Sequence, residues 1–288
     1  MKRINRLARV LAGALALCLA TGVAAKDTIR IGWTAWSDAE FVTKLAAKLL
    51  EDRMGYDIEL LQTDIAPQYQ GIATGDIDVM LMSWQPKTHE DYIKKVGDKG
   101  FDLGLLYTNA RLGWVVPAYV PESEVKTIAD LNKPEVREKL DGTITGIDPG
   151  AGLTRLSKQA IKDYGLDYEL QISSGAGMTA ALERAVRRNK WIVVTGWSPH
   201  WMFGAYDLRY LEDPKGVLGK AERVHAYART GFYQDHLDAA AFLSRMQIPL
   251  DDLQKAMHDA QETSYEEAVE KYIQGNEDRI SYWITGEL

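Results

Sequence analysis

The sequence predicts an α/β fold in two lobes, because short apolar strands alternate with amphipathic helices in two successive sets. Repeated strand–helix–strand units are typical of mostly parallel sheets that are flanked by helices. Each set contains about 90 residues, which is the usual size of a lobe or small domain. A segment with helical spacing follows from about Leu237. The predicted architecture is therefore two α/β lobes and a set of C-terminal helices.

The first set opens with a strand over Thr28–Trp33 and an amphipathic helix that runs from Asp38 to about Met54. Its remaining elements are a strand, a helix that Gly75 closes, and two further strands: Asp57–Leu61, Ala66–Ala73, Ile77–Ser83 and Leu112–Pro117. Asp76 and Asp78, in the segment TGDIDV, are interpreted as residues of the turn before the third strand.

The second set alternates in the same way. Its strands and helices, in chain order, are Thr143–Ile147, Leu153–Tyr164, Tyr168–Ser173, Met178–Arg188 and Trp191–Thr195. Gly165 is placed to end the first of these helices, as glycine commonly does. The helical tail finishes with the segments Tyr265–Ile273 and Asp278–Trp283.

Residues 1–25 have the pattern of a cleaved secretory signal. Four basic residues precede the apolar run Val10–Ala20, and a small-residue segment that ends at Ala25 is typical of a cleavage site. The apolar run is too short to favour a membrane span, although a retained membrane anchor is the alternative. We therefore expect a protein that is exported to the periplasm.

Composition excludes several classes of function. Cys18, inside the predicted signal, is the only cysteine, so the mature chain would have no disulfide, catalytic thiol or thiolate metal site. Removal of residues 1–25 takes away four positive charges and changes the net charge from −7 to −11. Such an acidic protein is poorly suited to bind nucleic acid. The sequence contains neither a GxSxG elbow nor an HExxH metal motif, so we expect a protein without catalytic residues, metal or cofactor.

Three tryptophans, Trp36, Trp84 and Trp197, each follow what the pattern predicts to be the end of a strand. Ligands of α/β sheets bind at that edge. A quaternary ammonium has no hydrogen to donate, and aromatic faces attract it through the ring quadrupole. The three indoles therefore predict an aromatic box for such a cation. The other tryptophans are interpreted as packing residues of the fold. Of these, Trp33 and Trp201 are left open as possible lining residues.

A glycine-rich loop, Gly146–Gly152, lies between a predicted strand and a predicted helix. Backbone N–H groups before a helix form an anion site, and glycine allows close approach of a ligand. The segment lacks the Gly-Lys-Ser/Thr ending of a phosphate loop, so a small carboxylate fits it better. His89, five residues after Trp84, is the candidate for a further hydrogen bond to that anion, and His200 is its rival.

Taken together, these segments resemble a known family. AWSDAE, GDIDVMLMSWQPKTHEDY, LGWVVPAYV, TGIDPGAGL and VVTGWSPHWMFGAYDLRYLEDPKGV are similar in kind and order to the substrate-binding proteins of glycine betaine/proline betaine ABC transporters. The resemblance covers about Thr28 to Trp283. It implies a two-lobe, type II-like periplasmic binding protein fold whose lobes close on the ligand.

The resemblance also implies roles for particular residues. Trp36, Trp84 and Trp197 match the three tryptophans around the trimethylammonium group. Gly146 and Ile147 match the positions whose backbone N–H groups hold the betaine carboxylate. His89 matches the histidine that adds a side-chain hydrogen bond to it. The implied partners are a small betaine and the permease of an ABC importer in the inner membrane, and the binding protein is expected to be a monomer.

The predicted organisation is a signal peptide over residues 1–25, a first lobe from 26 to 115, a second lobe from 116 to 222, and a return to the first lobe over 223–288. The chain departs from some relatives by having Ala151 where they have a tryptophan. Thr34 and Ala35 stand where choline-binding relatives have an acidic residue, which favours a zwitterion over choline. An exported hydrolase of choline esters and a module that signals to a membrane receptor are the alternatives.

Overall fold

The computed structural model describes residues 28–287. Within this range the strands are β1 Thr28–Trp33, β2 Asp57–Gln62, β3 Val79–Gln85, β4 Gly100–Pro117, β5 Thr143–Thr145, β6 Glu169–Gln171, β7 Val194–Ser198, β8 Leu208–Tyr210 and β9 Glu222–Arg229. The helices are α1 Ser37–Asp52, α2 Ile65–Thr74, α3 Glu90–Val96, α4 Pro134–Lys139, α5 Gly152–Tyr164, α6 Gly175–Arg187, α7 Met202–Ala205, α8 Phe232–Asp235, α9 Leu237–Arg245, α10 Leu250–Glu262, α11 Tyr265–Gly275 and α12 Glu277–Thr285. Short 3-10 helices cover Gly97–Lys99 and Ile128–Asn132. The predicted signal peptide lies outside the described residues.

The strands form a mixed sheet in the order β2-β1-β3-β9-β4-β7-β5-β6, with β8 added beside β4. The strands at the two ends are parallel, since β1 pairs with β2 and β3, and β5 pairs with β6 and β7. Pairs that involve β4 or β9 are antiparallel. We call the part built on β1, β2, β3 and β9 the first lobe, and the part built on β5, β6, β7 and β8 the second lobe. The predicted two-lobe α/β fold is confirmed, with these antiparallel strands where the two parts meet.

The long strand β4 connects the two lobes. Its residues Gly100–Ala110 pair with β9, and Arg111–Val115 pair with β7. The sequence predicted only the segment Leu112–Pro117 and did not predict β9. Three register shifts in the pairing of β4 with β9 interrupt the alternation of buried and exposed residues that identifies a strand.

The C-terminal helices were predicted from their spacing, and the structure confirms them. Helix α9 packs on β4, α11 packs on α1, and α12 packs on α9. Ser264 caps α11, because its side chain accepts a hydrogen bond from the N–H of Glu267 at 3.1 Å. No helix among residues 28–287 is both long and apolar enough to cross a membrane.

The prediction for Asp78 as a turn residue is wrong. Its carboxylate is buried and accepts hydrogen bonds from the guanidinium groups of Arg30, at 2.9 Å, and Arg229, at 2.6 Å. Burial alone would raise the pKa of Asp78, but the hydrogen bonds from the two arginines outweigh it and lower that pKa. Asp78 therefore ties β1 to β9, and local sequence could not reveal a partner 151 positions away.

Candidate functional site

The three predicted tryptophans come together around one cavity. Trp36 precedes α1 as its N-cap residue, whereas Trp84 and Trp197 are the next-to-last residues of β3 and β7. The last two therefore lie inside the strand ends, not beyond them as predicted. Their exposed fractions are 7%, 2% and 3%, and the ring centroids of Trp36 and Trp197 are 6.1 Å apart. The residues that line the cavity are Trp36, Trp84, Thr88, His89, Leu112, Ile147, Ala151, Gly152, Leu153 and Trp197.

Two carboxylates bind the polar edges of two of these indoles. Trp36 Nε1 donates to Asp148 Oδ2 at 2.9 Å, and Trp197 Nε1 donates to Asp38 Oδ1 at 2.9 Å. With their only donors paired in this way, both rings present carbon and π surface to the cavity. Sequence reasoning missed both aspartates, although Asp38 was placed at the start of the helix and Asp148 in the loop.

Asp38 is the second residue of α1 and is fully buried. Burial raises its pKa, while hydrogen bonds from Tyr107 and Trp197 oppose that rise. The hydroxyl of Tyr107 donates to Oδ2 at 2.6 Å, so both carboxylate oxygens of Asp38 have a side-chain donor.

His89 is positioned by the backbone of the neighbouring box residue. It is 1% exposed, and its Nδ1 accepts a hydrogen bond from the N–H of Trp84 at 3.1 Å. Because a backbone N–H can only donate, Nδ1 has no proton and Nε2 carries one. Burial, together with the positive charge of Arg155, lowers the pKa of His89 to about 3. At neutral pH His89 is thus an uncharged N–H donor, and its Nε2 makes no hydrogen bond with residues 28–287.

In the loop predicted to bind a carboxylate, some backbone N–H groups already have an acceptor within the protein and others do not. The N–H of Gly146 donates to the carbonyl oxygen of Gln171 at 2.8 Å, and Gly146 does not line the cavity. Ile147 does line it, and its N–H has no hydrogen-bond acceptor among residues 28–287. The same holds for Gly152 and Leu153, the first two residues of α5.

Sequence reasoning included Gly152 in the predicted anion-binding loop but did not single it out as a donor, and it did not assign Leu153 to the site. The signal that could have found them is the position of the glycine-rich loop before a helix, where the first N–H groups lack acceptors within the helix. Thr88 and Leu112 were missed as well, and nothing in their local sequence distinguishes them.

The three residues left open by the sequence do not line the cavity. His200 packs behind the box, with its ring 4.5 Å from that of Trp197 and nearly perpendicular to it. Its Nδ1 accepts a hydrogen bond from the N–H of Met202, and burial lowers its pKa to about 3. Trp33 ends β1, and the ring of Trp201 lies 5.5 Å from that of His200.

Comparison with known proteins places this site in context. Residues 27–275 match the family model of the substrate binding domain of ABC-type glycine betaine transport systems. The glycine betaine/carnitine transport binding protein GbuC of Listeria monocytogenes is 41% identical over 158 residues. That match covers 54% of this chain and 53% of the Listeria protein, so it spans about half of each.

Two solved structures extend the similarity over nearly the whole chain. Lactococcal OpuAC, in a closed-liganded conformation with glycine betaine, has a TM-score of 0.83 and 32% identity, over 90% of this chain and 100% of that one. The glycine/betaine/L-proline-binding protein ProX of Borrelia burgdorferi has a TM-score of 0.83 and 32% identity, over 89% and 96% of the two chains. The chain therefore belongs to the family of substrate-binding domains of ABC-type glycine betaine transport systems.

Proposed function

We propose that this protein binds glycine betaine, or a similar quaternary-ammonium zwitterion, and delivers it to an ABC importer for uptake as an osmoprotectant. The observation that carries the proposal is that two kinds of group line one cavity. Trp36, Trp84 and Trp197 supply aromatic surface for a cation, while unused N–H groups supply donors for a carboxylate.

The cation half rests on the three indoles. Each aromatic face contributes about 0.5–2 kcal/mol to binding of a desolvated cation. Three faces together reach several kcal/mol, which is a large share of the roughly 8 kcal/mol of a micromolar site. No carboxylate is among the residues that line the cavity, so the cation would be held by ring surface and not by an ion pair.

The anion half rests on donors from both lobes. Ile147, Gly152 and Leu153 offer three backbone N–H groups, two of them at the N-terminus of α5, where the helix dipole favours a negative charge. His89 Nε2 adds a neutral donor from the first lobe. Ile147 and His89 keep their predicted role as hydrogen-bond donors to the carboxylate. The proposed role of Gly146 is to hold the loop, since its N–H is paired with Gln171.

Choline is the second candidate and fits less well. It has the same trimethylammonium group but no carboxylate, so these donors would stay unpaired in a dry cavity. A buried unsatisfied donor costs about 1–3 kcal/mol. Carnitine and dimethylsulfoniopropionate keep both charges and differ in spacer and bulk. They belong to the same proposal as alternatives to glycine betaine.

The lobe boundaries and the location are part of the proposal. The change of partner along β4, between Ala110 and Arg111, and the return of β9 beside β3 support the proposed order of the lobes, a first lobe of residues 26–115 and 223–288 around a second lobe of 116–222, with 111–115 pairing to the second lobe. The proposed location is the periplasm, after removal of residues 1–25, and the proposed partner is the permease of the importer. We propose a binding role without catalysis, supported by the absence of a GxSxG elbow from the sequence.

A thermal-shift panel tests the function. Glycine betaine, proline betaine, carnitine, dimethylsulfoniopropionate and choline are each added to the purified protein at 1 mM. A ligand at about 1,000 times its Kd adds about 4 kcal/mol to the unfolding free energy, which is readily measured as a higher Tm. We expect the largest shift from a zwitterion. Titration calorimetry then ranks the affinities, and tighter binding of choline than of every zwitterion would refute the proposal. Hydrolysis of an added choline ester would favour the enzyme alternative.

A further inference from the structure

Asp38 and Asp148 are closely associated with the aromatic box but do not line the cavity. A zwitterion brings equal positive and negative charge, so its charge gives no reason for two carboxylates behind the box. Their hydrogen bonds are instead directed at the indoles, through Trp197 Nε1 and Trp36 Nε1 respectively. The two aspartates therefore act on the tryptophans and do not contact the ligand directly.

The two hydrogen bonds cross between the lobes in opposite directions. Trp36 and Asp38 belong to the start of α1 in the first lobe, while Asp148 and Trp197 belong to the second lobe. Each lobe supplies one indole donor and one carboxylate acceptor to the other. The pairs join residues 112 and 159 positions apart, so neither pair is a local turn contact.

Separation of the lobes would break both pairs at once. Trp36 and Trp197 would then lose the acceptors of their indole N–H groups, so their rings would be held less firmly in the geometry of the box. Within its own lobe Trp197 would keep its ring contact with His200, whereas the hydrogen bond of Trp84 to His89 Nδ1 is made by the backbone N–H of Trp84 and does not fix its ring.

We propose that Asp38 and Asp148 are positioning residues that couple the assembly of the aromatic box to closure of the lobes. The inference rests on the proposed function, since it concerns how the same site comes to bind its ligand. Part of the affinity for the ligand then depends on two carboxylates that do not line the cavity. A donor bonded to a carboxylate also polarises its ring towards greater electron density, which favours the cation.

Asp148 gives the cleaner test, because it is only partly buried and its replacement leaves the core intact. Asp148→Ala removes the acceptor, whereas Asp148→Asn keeps an oxygen at the same position. Asp64→Ala is the matched control: this exposed aspartate lies with Asp148 at the same surface pocket but bonds no indole. Asp38→Asn tests the buried pair, with retention of the circular dichroism spectrum as the check on folding.

Two quantities are measured for each variant: the Kd for glycine betaine by calorimetry, and the 1H–15N resonances of the indole N–H groups with and without ligand. We expect Asp148→Ala to weaken binding about 10- to 100-fold and to abolish the ligand-dependent shift of the Trp36 resonance. Asp148→Asn should restore most of both, and Asp64→Ala should stay within about twofold of the wild type. For Asp38→Asn the Trp197 resonance should change and binding should weaken, because both oxygens of Asp38 accept a side-chain donor and an amide has only one oxygen.

Two outcomes would overturn the inference while leaving the proposed function intact: wild-type affinity in Asp148→Ala, or an unchanged Trp36 resonance in that variant. Failure of the wild-type protein to bind any betaine would instead refute the proposed function. The two failures are distinguishable, because the second is seen before any variant is compared.

Discussion

Gly152, the first residue of α5, packs closely against Thr88 in the segment before α3, and adding a methyl group there should block closure. A Cβ atom on Gly152 would lie 2.4 Å from the carbonyl oxygen and 2.6 Å from Cγ2 of Thr88. Ordinary contacts of this kind begin near 3.4 Å. The segments would have to separate by about 1 Å, because a backbone carbonyl cannot rotate away as a side chain can.

The size of the effect follows from where the clash exists. Overpacking of this kind costs about 1–3 kcal/mol. Here it destabilises only the closed conformation, in which the two lobes meet. Since about 1.4 kcal/mol is a factor of ten, Gly152→Ala should weaken glycine betaine binding about 5- to 150-fold. The variant keeps the N–H of residue 152, so the loss would report shape and not a missing donor. Alanine is also a good residue for the start of a helix, so the Tm without ligand should not fall.

The assay is calorimetric titration together with thermal unfolding, with and without ligand. Gly150→Ala, in the loop just before Gly152, is the control. Its added methyl group would meet only the hydroxyl of Tyr92, at 3.8 Å. We expect this control to bind within about twofold of the wild type. Wild-type affinity in Gly152→Ala would refute the reasoning, as would an equal loss in both variants.

Further predictions concern the box, the core and pH. Trp84→Ala should abolish most of the thermal shift with betaine, whereas His89→Ala should weaken it less, because three backbone donors stay in place; a full shift in the tryptophan variant would show that the box is assigned wrongly. Asp78→Asn should lower the unfolding free energy in urea by about 1.5–3 kcal/mol, because the guanidinium groups of Arg30 and Arg229 lose a charged acceptor, with little change in Kd; an unchanged urea midpoint would contradict this. His89 and His200 have folded-state pKa values of about 3, below the roughly 6.5 of an unfolded histidine. Their contribution to stability is therefore complete above about pH 6.5 and is lost towards pH 3, at up to about 1.4 kcal/mol per pH unit for each. His200→Gln should reduce that slope in urea unfolding between pH 7 and 4.5, and an unchanged slope would argue against the buried neutral state.

The parts of the fold that were predictable are those whose pattern is local. Strand β1, helix α1 and helix α5 have regular periodicity and nearby end signals, and the structure has them within a few residues of the predicted bounds. The first part of β4 was missed because its register shifts disturb the alternation. Strand β9 was missed because its charged residues face partners that are distant in sequence, such as Asp78 for Arg229.

The same distinction applies to the candidate site. Trp36, Trp84, Trp197, Ile147 and His89 could be proposed from the sequence because each residue type implies its own chemistry, and all five line the cavity. What the sequence could not show is which donors are already occupied. The pairing of the Gly146 N–H with β6, like the pairing of each indole with a carboxylate from the other lobe, depends on contacts that exist only after folding.

The arrangement of the donors bears on how the site would discriminate between ligands. Every trimethylammonium compound presents the same cation to the three indoles, so the proposed aromatic box would supply affinity that glycine betaine and choline share. In the proposed site their difference would fall on the N–H groups of Ile147, Gly152 and Leu153 and on His89 Nε2, which need an acceptor when the cavity is dry. A polar site that is left unpaired rejects a ligand more strongly than a poorly filled apolar one does. Selectivity for a zwitterion would therefore reside mainly in the backbone of the second lobe, where side-chain substitutions have least effect on it, with His89 of the first lobe adding one side-chain donor.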